Sequence, residues 1–253
     1  MGLFGSGSAR RAQRALERQL DYQQRRARRL AGREARWLPQ MQERSREVRA
    51  KIDAFRPVDE RDRVLEVGSG AHGLIFFFGT ESGVGVDPLA DEYASLFPAW
   101  QSRARTIAAG GENLPFGQAS FDIVLCDNVV DHAESPRRIV EEMARVLRPG
   151  GILYFTVNVH HPVYHLVGTA HAAWRAVGVP LEITPFADHT VHLTPRAARR
   201  LFDGLPFRTL AEGDNVAEVR RFGSKVPPRH VGDWVKRLFY KNAKYELIAE
   251  RVG

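Results

Sequence analysis

A glycine-rich turn between two short apolar runs constrains the fold of this chain more than any other feature. The first run, Arg63–Val67, is aliphatic apart from one acid, and a Gly-x-Gly-x-x-Gly spacing begins directly after it at Gly68. The second run, Val84–Val86, ends at Asp87. An apolar run that ends in glycines predicts a buried strand entering a tight turn. The stretch therefore predicts a βαβ unit, with a helix after the turn and a carboxylate at the tip of the second strand.

This pattern is typical of a nucleotide-binding turn. Glycines let the backbone approach a ligand closely, and the N-terminus of the following helix offers free N–H groups. A carboxylate at the next strand tip suits a ribose diol, because it accepts hydrogen bonds from both hydroxyls. Asp87 lies 19 residues after Gly68, which also fits a dinucleotide site. Glu66 argues against a dinucleotide, because an anion two residues before the turn suits a cationic ligand better than a pyrophosphate.

Several motifs in the right order resemble the class I S-adenosylmethionine-dependent methyltransferases. They are Glu66–Gly70, Asp87, Leu114–Phe116 with Phe121–Asp122, and Arg145–Gly151. The resemblance covers about residues 63–158 and favours S-adenosylmethionine, which carries an ammonium and a sulfonium, over a nicotinamide dinucleotide. It implies an α/β fold with a mostly parallel, seven-stranded doubly wound sheet whose last strand runs antiparallel.

The resemblance also implies which residues bind the cofactor. Asp127 follows the fourth predicted strand and faces the ligand edge of the sheet, with a helix cap as the alternative role. The family's adenine-side acid is replaced by Gly110, so Glu112 or Asn113 would contact the adenine amine instead. The predicted cofactor-binding residues are Glu66, Gly68, Ser69, Gly70, Asp87, Pro88, Glu112, Asn113, Asp127 and Asn128.

Three histidines are candidates for a catalytic base. Methyl transfer to a hydroxyl requires alignment of the acceptor and removal of its proton, for which a neutral imidazole is suited. His132 follows the fourth predicted strand, and His160 and His161 follow the fifth. We rank His132 first and His160 or His161 next, with Asp131 placed to orient one of them. The alternative is that each is an ordinary loop histidine.

Other histidines also occur at spacings compatible with metal ligation. His161 and His165 are four residues apart, and His189 and His192 are three apart. No run of acids lies nearby, and the single cysteine, Cys126, sits in an apolar run. We therefore predict no metal site, and the lone cysteine excludes an internal disulfide framework.

Positive charge is concentrated at the start of the chain. Residues 1–56 hold 15 Lys/Arg and 6 Asp/Glu, whereas the remaining residues hold 22 and 24. Apolar residues there recur at spacings of three and four, which predicts helices with one apolar stripe, and Pro39 predicts a break between two of them. We divide the chain into a basic helical arm, residues 1–56, and a catalytic domain, residues 57–253.

The arm has three candidate roles. It could dock its apolar stripe on the catalytic domain as a cover over the cofactor, or its arginines could bind an anionic surface, either lipid or nucleic acid. Gly2 and Ser6 also match the N-myristoylation pattern. The chain shows neither a secretory signal nor an apolar run long enough to cross a bilayer, so we expect a cytoplasmic protein.

The sequence thus predicts an enzyme that transfers a methyl group from S-adenosylmethionine to an oxygen, or with less support a nitrogen, of a small-molecule acceptor. The alternatives are an RNA or membrane-lipid methyltransferase that uses the arm for its substrate, a nicotinamide oxidoreductase, and a non-catalytic binding module of the same fold. Arg221 to Lys244, where cations alternate with aromatics, could bind nucleic acid, but an edge loop and helix is the preferred interpretation.

Overall fold

One seven-stranded sheet organises the molecule. The computed structural model describes residues 5–163, 191–225, 240 and 242–253, and orders the strands β3-β2-β1-β4-β5-β7-β6. Strands β1 to β5 pair in parallel, and β7 runs antiparallel to both of its neighbours. The strands are β1 (Arg63–Val67), β2 (Ser82–Asp87), β3 (Arg105–Ala108), β4 (Phe121–Asp127), β5 (Leu147–Val159), β6 (Phe207–Asp214) and β7 (Ala243–Arg251).

This sheet confirms the predicted fold class. The central strands β1 and β4 are almost entirely buried, because helices cover both faces of a parallel sheet. Three short 3-10 turns lie at Glu34–Arg36, Leu74–Phe77 and Val130–His132. The helices are α1 (Gly5–Leu30), α2 (Leu38–Asp53), α3 (Ala90–Leu96), α4 (Pro98–Gln101), α5 (Pro136–Val146), α6 (Pro195–Arg200) and α7 (Val216–Lys225).

The segment after the glycine turn differs from the predicted βαβ unit. Instead of a helix it forms only the 3-10 turn Leu74–Phe77, because β2 already begins at Ser82 and leaves no room for a longer element. Helix α2 of the arm occupies the sheet face that a crossover helix would cover. Its residues Val48 and Ile52 are fully buried and belong to the same apolar cluster as strand residues of β1, β4, β5 and β7.

Polar contacts fix α2 in place. Ser45 donates a hydrogen bond of 2.8 Å to the carbonyl oxygen of Leu74. The guanidinium of Arg49 donates to the carbonyls of Phe78 and Val58 at 2.9 and 2.8 Å. Helix α2 is thus packed into the core of the residues that follow it, whereas the domain boundary at residue 56 stays a prediction.

The predicted break in the arm is also present. The chain leaves the helical path between α1 and α2, and Pro39 lies in the first turn of α2, where its missing N–H removes no helical hydrogen bond. Among the residues that the structure describes, no helix is both long and apolar enough to cross a membrane.

Candidate functional site

The glycine turn after β1 is held against β2 by backbone hydrogen bonds. The N–H groups of Gly68 and Ser69 both donate to the carbonyl of Val86, at 2.7 and 3.1 Å. Gly68 has a φ of 71°, and a Cβ built on it would lie 2.4 Å from a methyl group of Val129. Both the backbone conformation and the close approach of Val129 therefore require glycine at this position.

Asp87 connects the tip of β2 to the glycine turn. One carboxylate oxygen accepts from the N–H of Gly70 at 3.0 Å, and the other accepts from the N–H of Leu89 at 2.9 Å. Burial raises the pKa of Asp87, although these two hydrogen bonds oppose the rise. Each oxygen keeps a further lone pair, so the side chain is positioned to accept from a ligand diol. Pro88, the next residue, is exposed.

Glu66 is used inside the protein. Glu66 is only 2% exposed, and its carboxylate oxygens accept hydrogen bonds from the N–H groups of Leu74 and Ile75 at 3.0 and 2.9 Å. Burial raises its pKa to about 8 against these bonds. A Cβ on Gly73 would lie 2.4 Å from one Glu66 oxygen, so that glycine makes room for the carboxylate. The N–H groups expected to face a ligand are therefore occupied, and a role of Glu66 toward a cofactor stays a prediction.

An aromatic cluster packs against the outer side of the glycine turn. The indole of Trp100 donates to the carbonyl of Ala71 at 2.7 Å. The ring of His72 lies 5.0 Å from that of Phe97, 5.2 Å from that of Trp100 and 6.4 Å from that of Trp37, which precedes α2. This cluster shows the side chain of His72 packed between the turn and the arm.

The packing of His72 predicts a pH-dependent stability. Burial, assisted by the charge of Arg26, lowers its pKa from 6.5 to about 4, so the folded protein binds a proton less readily than the unfolded chain. The free energy of unfolding should therefore fall as the pH drops from about 6.5 to about 4, by about 2 kcal/mol after allowance for partial exposure. In His72→Phe, the free energy of unfolding measured by urea denaturation should not show this fall at acid pH. His132→Gln, at an exposed histidine, should keep it, and an unchanged acid profile in His72→Phe would contradict the assignment.

At the end of β4, Asp127 pairs with cations from distant parts of the chain. Nη2 of Arg44 in α2 lies 2.9 and 3.1 Å from its two oxygens, and the hydroxyl of Thr156 donates to it at 2.5 Å. Nζ of Lys244 lies 3.8 Å away. Burial alone would raise the pKa of Asp127, but these partners lower it overall. The carboxylate accepts from these side chains, and a role toward the cofactor stays a prediction.

The other predicted cofactor residues lie along the same edge of the sheet. Asn128 has a φ of 62°, and its side-chain oxygen accepts from the N–H of Asn158 at 2.9 Å, which joins the ends of β4 and β5. Glu112 is half-buried and Asn113 is exposed in the loop after β3. Ser69 is 3% exposed and lies within the turn itself.

The candidate histidines differ strongly in accessibility. The side chain of His132 is 49% exposed, and its Nε2 lies 3.9 Å from Asp131. His160 is 1% exposed, and its Nδ1 accepts from the N–H of Asn242 at 3.3 Å. His161 is partly buried with its ring 5.5 Å from that of Tyr240. Of the three, His132 is best placed to reach a ligand.

Several sequence features fall outside the described residues. His165, His171 and His189 lie there, as does most of the cationic and aromatic stretch that ends at Lys244. Among the residues that are described, no three His, Cys, Asp or Glu side chains are grouped closely enough to hold a metal ion.

Sequence comparisons match the core of the chain to methyltransferases. Residues 65–155 match a family model described as a methyltransferase domain. An uncharacterized methyltransferase of Mycolicibacterium gilvum is 40% identical over 114 residues, which are 43% of this chain and 44% of that protein. Thiol S-methyltransferase of Rattus norvegicus is 29% identical over 153 residues, 58% of this chain and 61% of that protein. The chain thus spans about half the length of these curated relatives.

Solved structures share the fold at low sequence identity. Geranyl diphosphate C-methyltransferase of Streptomyces coelicolor, solved with Mg²⁺, geranyl diphosphate and S-adenosylhomocysteine, matches with a TM-score of 0.55 and 15% identity over 79% of this chain and 75% of that chain. The (4+2) cyclase SpnF matches with a TM-score of 0.52 and 18% identity over 78% of each chain. Such likeness shows the fold alone. Together with the matched domain model, it supports a class I, S-adenosylmethionine-dependent methyltransferase domain at residues 65–155.

Proposed function

We propose that this chain transfers a methyl group from S-adenosylmethionine to an oxygen of a small-molecule acceptor. The observation that carries the proposal is the hydrogen bond from Gly70 to Asp87, which joins the glycine turn to a carboxylate at the neighbouring strand tip. The glycine turn, which a ligand can approach closely, then lies beside the carboxylate of Asp87, which can accept hydrogen bonds from the two hydroxyls of an adenosine ribose.

The remaining cofactor contacts follow from the strand order. Asp87 and Pro88 at the end of β2 would flank the ribose, and Glu112 or Asn113 beyond β3 would contact adenine. Gly68, Ser69 and Gly70 would border the methionine end, and Asp127 and Asn128 lie beyond it at the end of β4. Bound S-adenosylmethionine would supply an electrophilic methyl group, so the protein's own task is to align the acceptor and take its proton.

We assign that proton transfer to His132. It follows β4, where the methyl group would be directed, and its imidazole is accessible while that of His160 is buried. With S-adenosylmethionine bound to supply the methyl group, the imidazole of His132 would accept the proton that the acceptor oxygen loses on methylation. Asp131 would orient the ring, and His161 is the second choice as base.

A thiol is the second candidate acceptor. The similarity to the rat thiol S-methyltransferase favours it. A thiol has an ordinary pKa near 8.5, so it yields a nucleophile at neutral pH with less help from a base than an alcohol requires. The two acceptors therefore predict different dependence on His132.

Isotope-labelled methyl transfer tests these proposals. Purified protein is incubated with S-adenosylmethionine carrying a deuterated methyl group and with matched hydroxyl, thiol and amine acceptors, and products are measured by mass spectrometry. We expect the hydroxyl product, with turnover reduced about 100-fold in His132→Gln. A thiol product with little dependence on His132 would support the second candidate. Cofactor binding without any product would favour a non-catalytic binding module.

The arm offers a surface for an anionic partner as well. Arg18, Tyr22, Arg25 and Arg29 are exposed and recur at spacings of three and four along α1, so they lie on one helix face. We propose that this face contacts a lipid or nucleic-acid surface if the acceptor is carried by one. Substituting the three arginines by Gln should then lower activity on vesicle or RNA substrates and leave activity on small acceptors unchanged.

A further inference from the structure

Charged side chains from the arm and the sheet meet where the carboxyl ends of β4 and β5 lie beside the amino end of the antiparallel strand β7. We call Arg44, Asp127 and Lys244 the edge cluster. Arg44 and Asp127 are hydrogen-bonded, and Lys244 lies 3.8 Å from the same carboxylate. Next to the edge cluster, Lys51 and Glu246 form a pair at 2.6 Å, and the hydroxyl of Tyr154 links Glu246 to Arg44. The neighbouring pair is neutral, so the edge cluster carries two cations for one anion.

Arg44 and Lys244 could both donate hydrogen bonds to a ligand. All hydrogen bonds of Arg44 in the described structure run through Nη2, to Asp127 and to the hydroxyl of Tyr154. Nη1 and Nε of the same guanidinium are therefore further donors, and because they point in different directions each can serve a ligand separately. Lys244 is 37% exposed at its side chain, and burial lowers its pKa although Asp127 opposes the shift. A ligand anion bound beside Lys244 would offset the free-energy cost of burying its ammonium group.

The position of Lys244 in the sheet separates it from the glycine turn and Asp87. The glycine turn and Asp87 lie at the ends of β1 and β2, whereas Lys244 belongs to β7, three strands from β1 in the order β1-β4-β5-β7. Adjacent strands are about 4.8 Å apart, so β1 and β7 are separated by about 14 Å. Lys244 is therefore on the side where the acceptor would approach, and Asp127 at the end of β4 lies between it and the glycine turn.

We propose that Arg44 and Lys244 form an anion-binding subsite for a carboxylate or phosphate group of the methyl acceptor. This inference rests on the proposed function and narrows its substrate class to acidic small molecules. Asp127 acts as an internal counter-anion that holds the two cations at this edge and competes with the ligand for them. A basic helix outside the catalytic motifs thereby contributes directly to acceptor recognition.

Binding of a matched pair of probes tests the subsite without any turnover. The probes are 4-hydroxybenzoate and 4-hydroxybenzamide, which share the acceptor hydroxyl and differ in charge, titrated by calorimetry with and without S-adenosylhomocysteine. We expect the wild type to bind the carboxylate about tenfold more tightly than the amide, because the two cations make charge-assisted hydrogen bonds to a carboxylate that a neutral amide cannot match. Equal binding of both probes, or binding of neither, would overturn the proposal.

Two variants with opposite expected effects sharpen the test. Arg44→Gln should abolish the preference for the carboxylate, whereas Asp127→Asn should strengthen carboxylate binding several-fold because it removes the competing anion. Arg46→Gln, at an exposed position on the same helix, serves as the control and should match the wild type. Weaker carboxylate binding in Asp127→Asn would overturn the assignment. Circular dichroism of each variant ensures that a loss is not a loss of folding.

The carboxylate of the cofactor is the other anion that could reach these cations. S-adenosylhomocysteine carries it and 5′-methylthioadenosine does not, so the two are titrated against wild type and Arg44→Gln. An acceptor subsite predicts that Arg44→Gln leaves both affinities unchanged, whereas selective loss of S-adenosylhomocysteine affinity would reassign the subsite to the cofactor. If wild type binds neither adenosine compound but still prefers 4-hydroxybenzoate, the proposed methyl transfer fails while the anion site stands.

Discussion

Replacing Val48 by aspartate is expected to leave the protein largely unfolded. Val48 in α2 is fully buried in the apolar cluster that also contains Val64 of β1 and Leu125 of β4. Burying an unpaired carboxylate costs several kcal/mol, and a domain of ordinary stability has only about 5–15 kcal/mol to lose. The effect should appear as loss of the cooperative thermal transition measured by circular dichroism.

The matched control for this variant is Ala50→Asp. Ala50 is exposed on the same helix and receives the same new side chain, so its melting temperature should stay within a few degrees of the wild type. If Val48→Asp were as stable as Ala50→Asp, α2 would not be part of the core.

The same packing means that deletion of residues 1–56 would remove core residues. Substitutions on the exposed face of α1 are therefore the better probe of the arm's partners.

Replacing Asp87 by alanine should weaken binding of S-adenosylmethionine about 100-fold or more. The substitution removes the two acceptors proposed for the ribose hydroxyls and also the hydrogen bond that holds Gly70 against β2. Two charge-assisted hydrogen bonds of about 1.5 kcal/mol each account for a loss of this size. Calorimetric titration with S-adenosylhomocysteine measures it without interference from turnover.

Two further variants separate the ribose contact from folding. Asp91→Ala makes the same change at an exposed residue of the adjacent helix α3 and should bind like the wild type. Asp87→Asn keeps one side-chain oxygen as an acceptor and should lie between wild type and alanine. Undiminished cofactor binding by folded Asp87→Ala would remove the ribose assignment.

The sheet could be predicted because its signals are local. Runs such as Ile123–Cys126 are apolar throughout, which is typical of a parallel strand buried on both faces, and the glycine turn follows directly from spacing. Helix α5 at Pro136–Val146 also has a local signal, because its apolar stripe is regular and Pro149 with Gly150 prevents its continuation.

The role of the arm at the site could not be read in the same way. An apolar stripe shows that a helix packs against something but not against which surface, so the replacement of a crossover helix by α2 left no local signal. The contact of Arg44 with Asp127 joins residues 83 positions apart, and charge composition does not reveal such pairs. The internal use of Glu66 depends on the path of the chain around Gly73, which the motif alone does not specify.

Calorimetric titration of the wild-type protein with S-adenosylmethionine, with NADH titrated in parallel, decides whether the chain binds a methyl donor or a dinucleotide. We expect one molecule of S-adenosylmethionine bound per chain with micromolar affinity and no measurable binding of NADH. Binding of NADH in place of S-adenosylmethionine, or binding of neither by folded protein, would contradict a methyl-donor site between the glycine turn and Asp87.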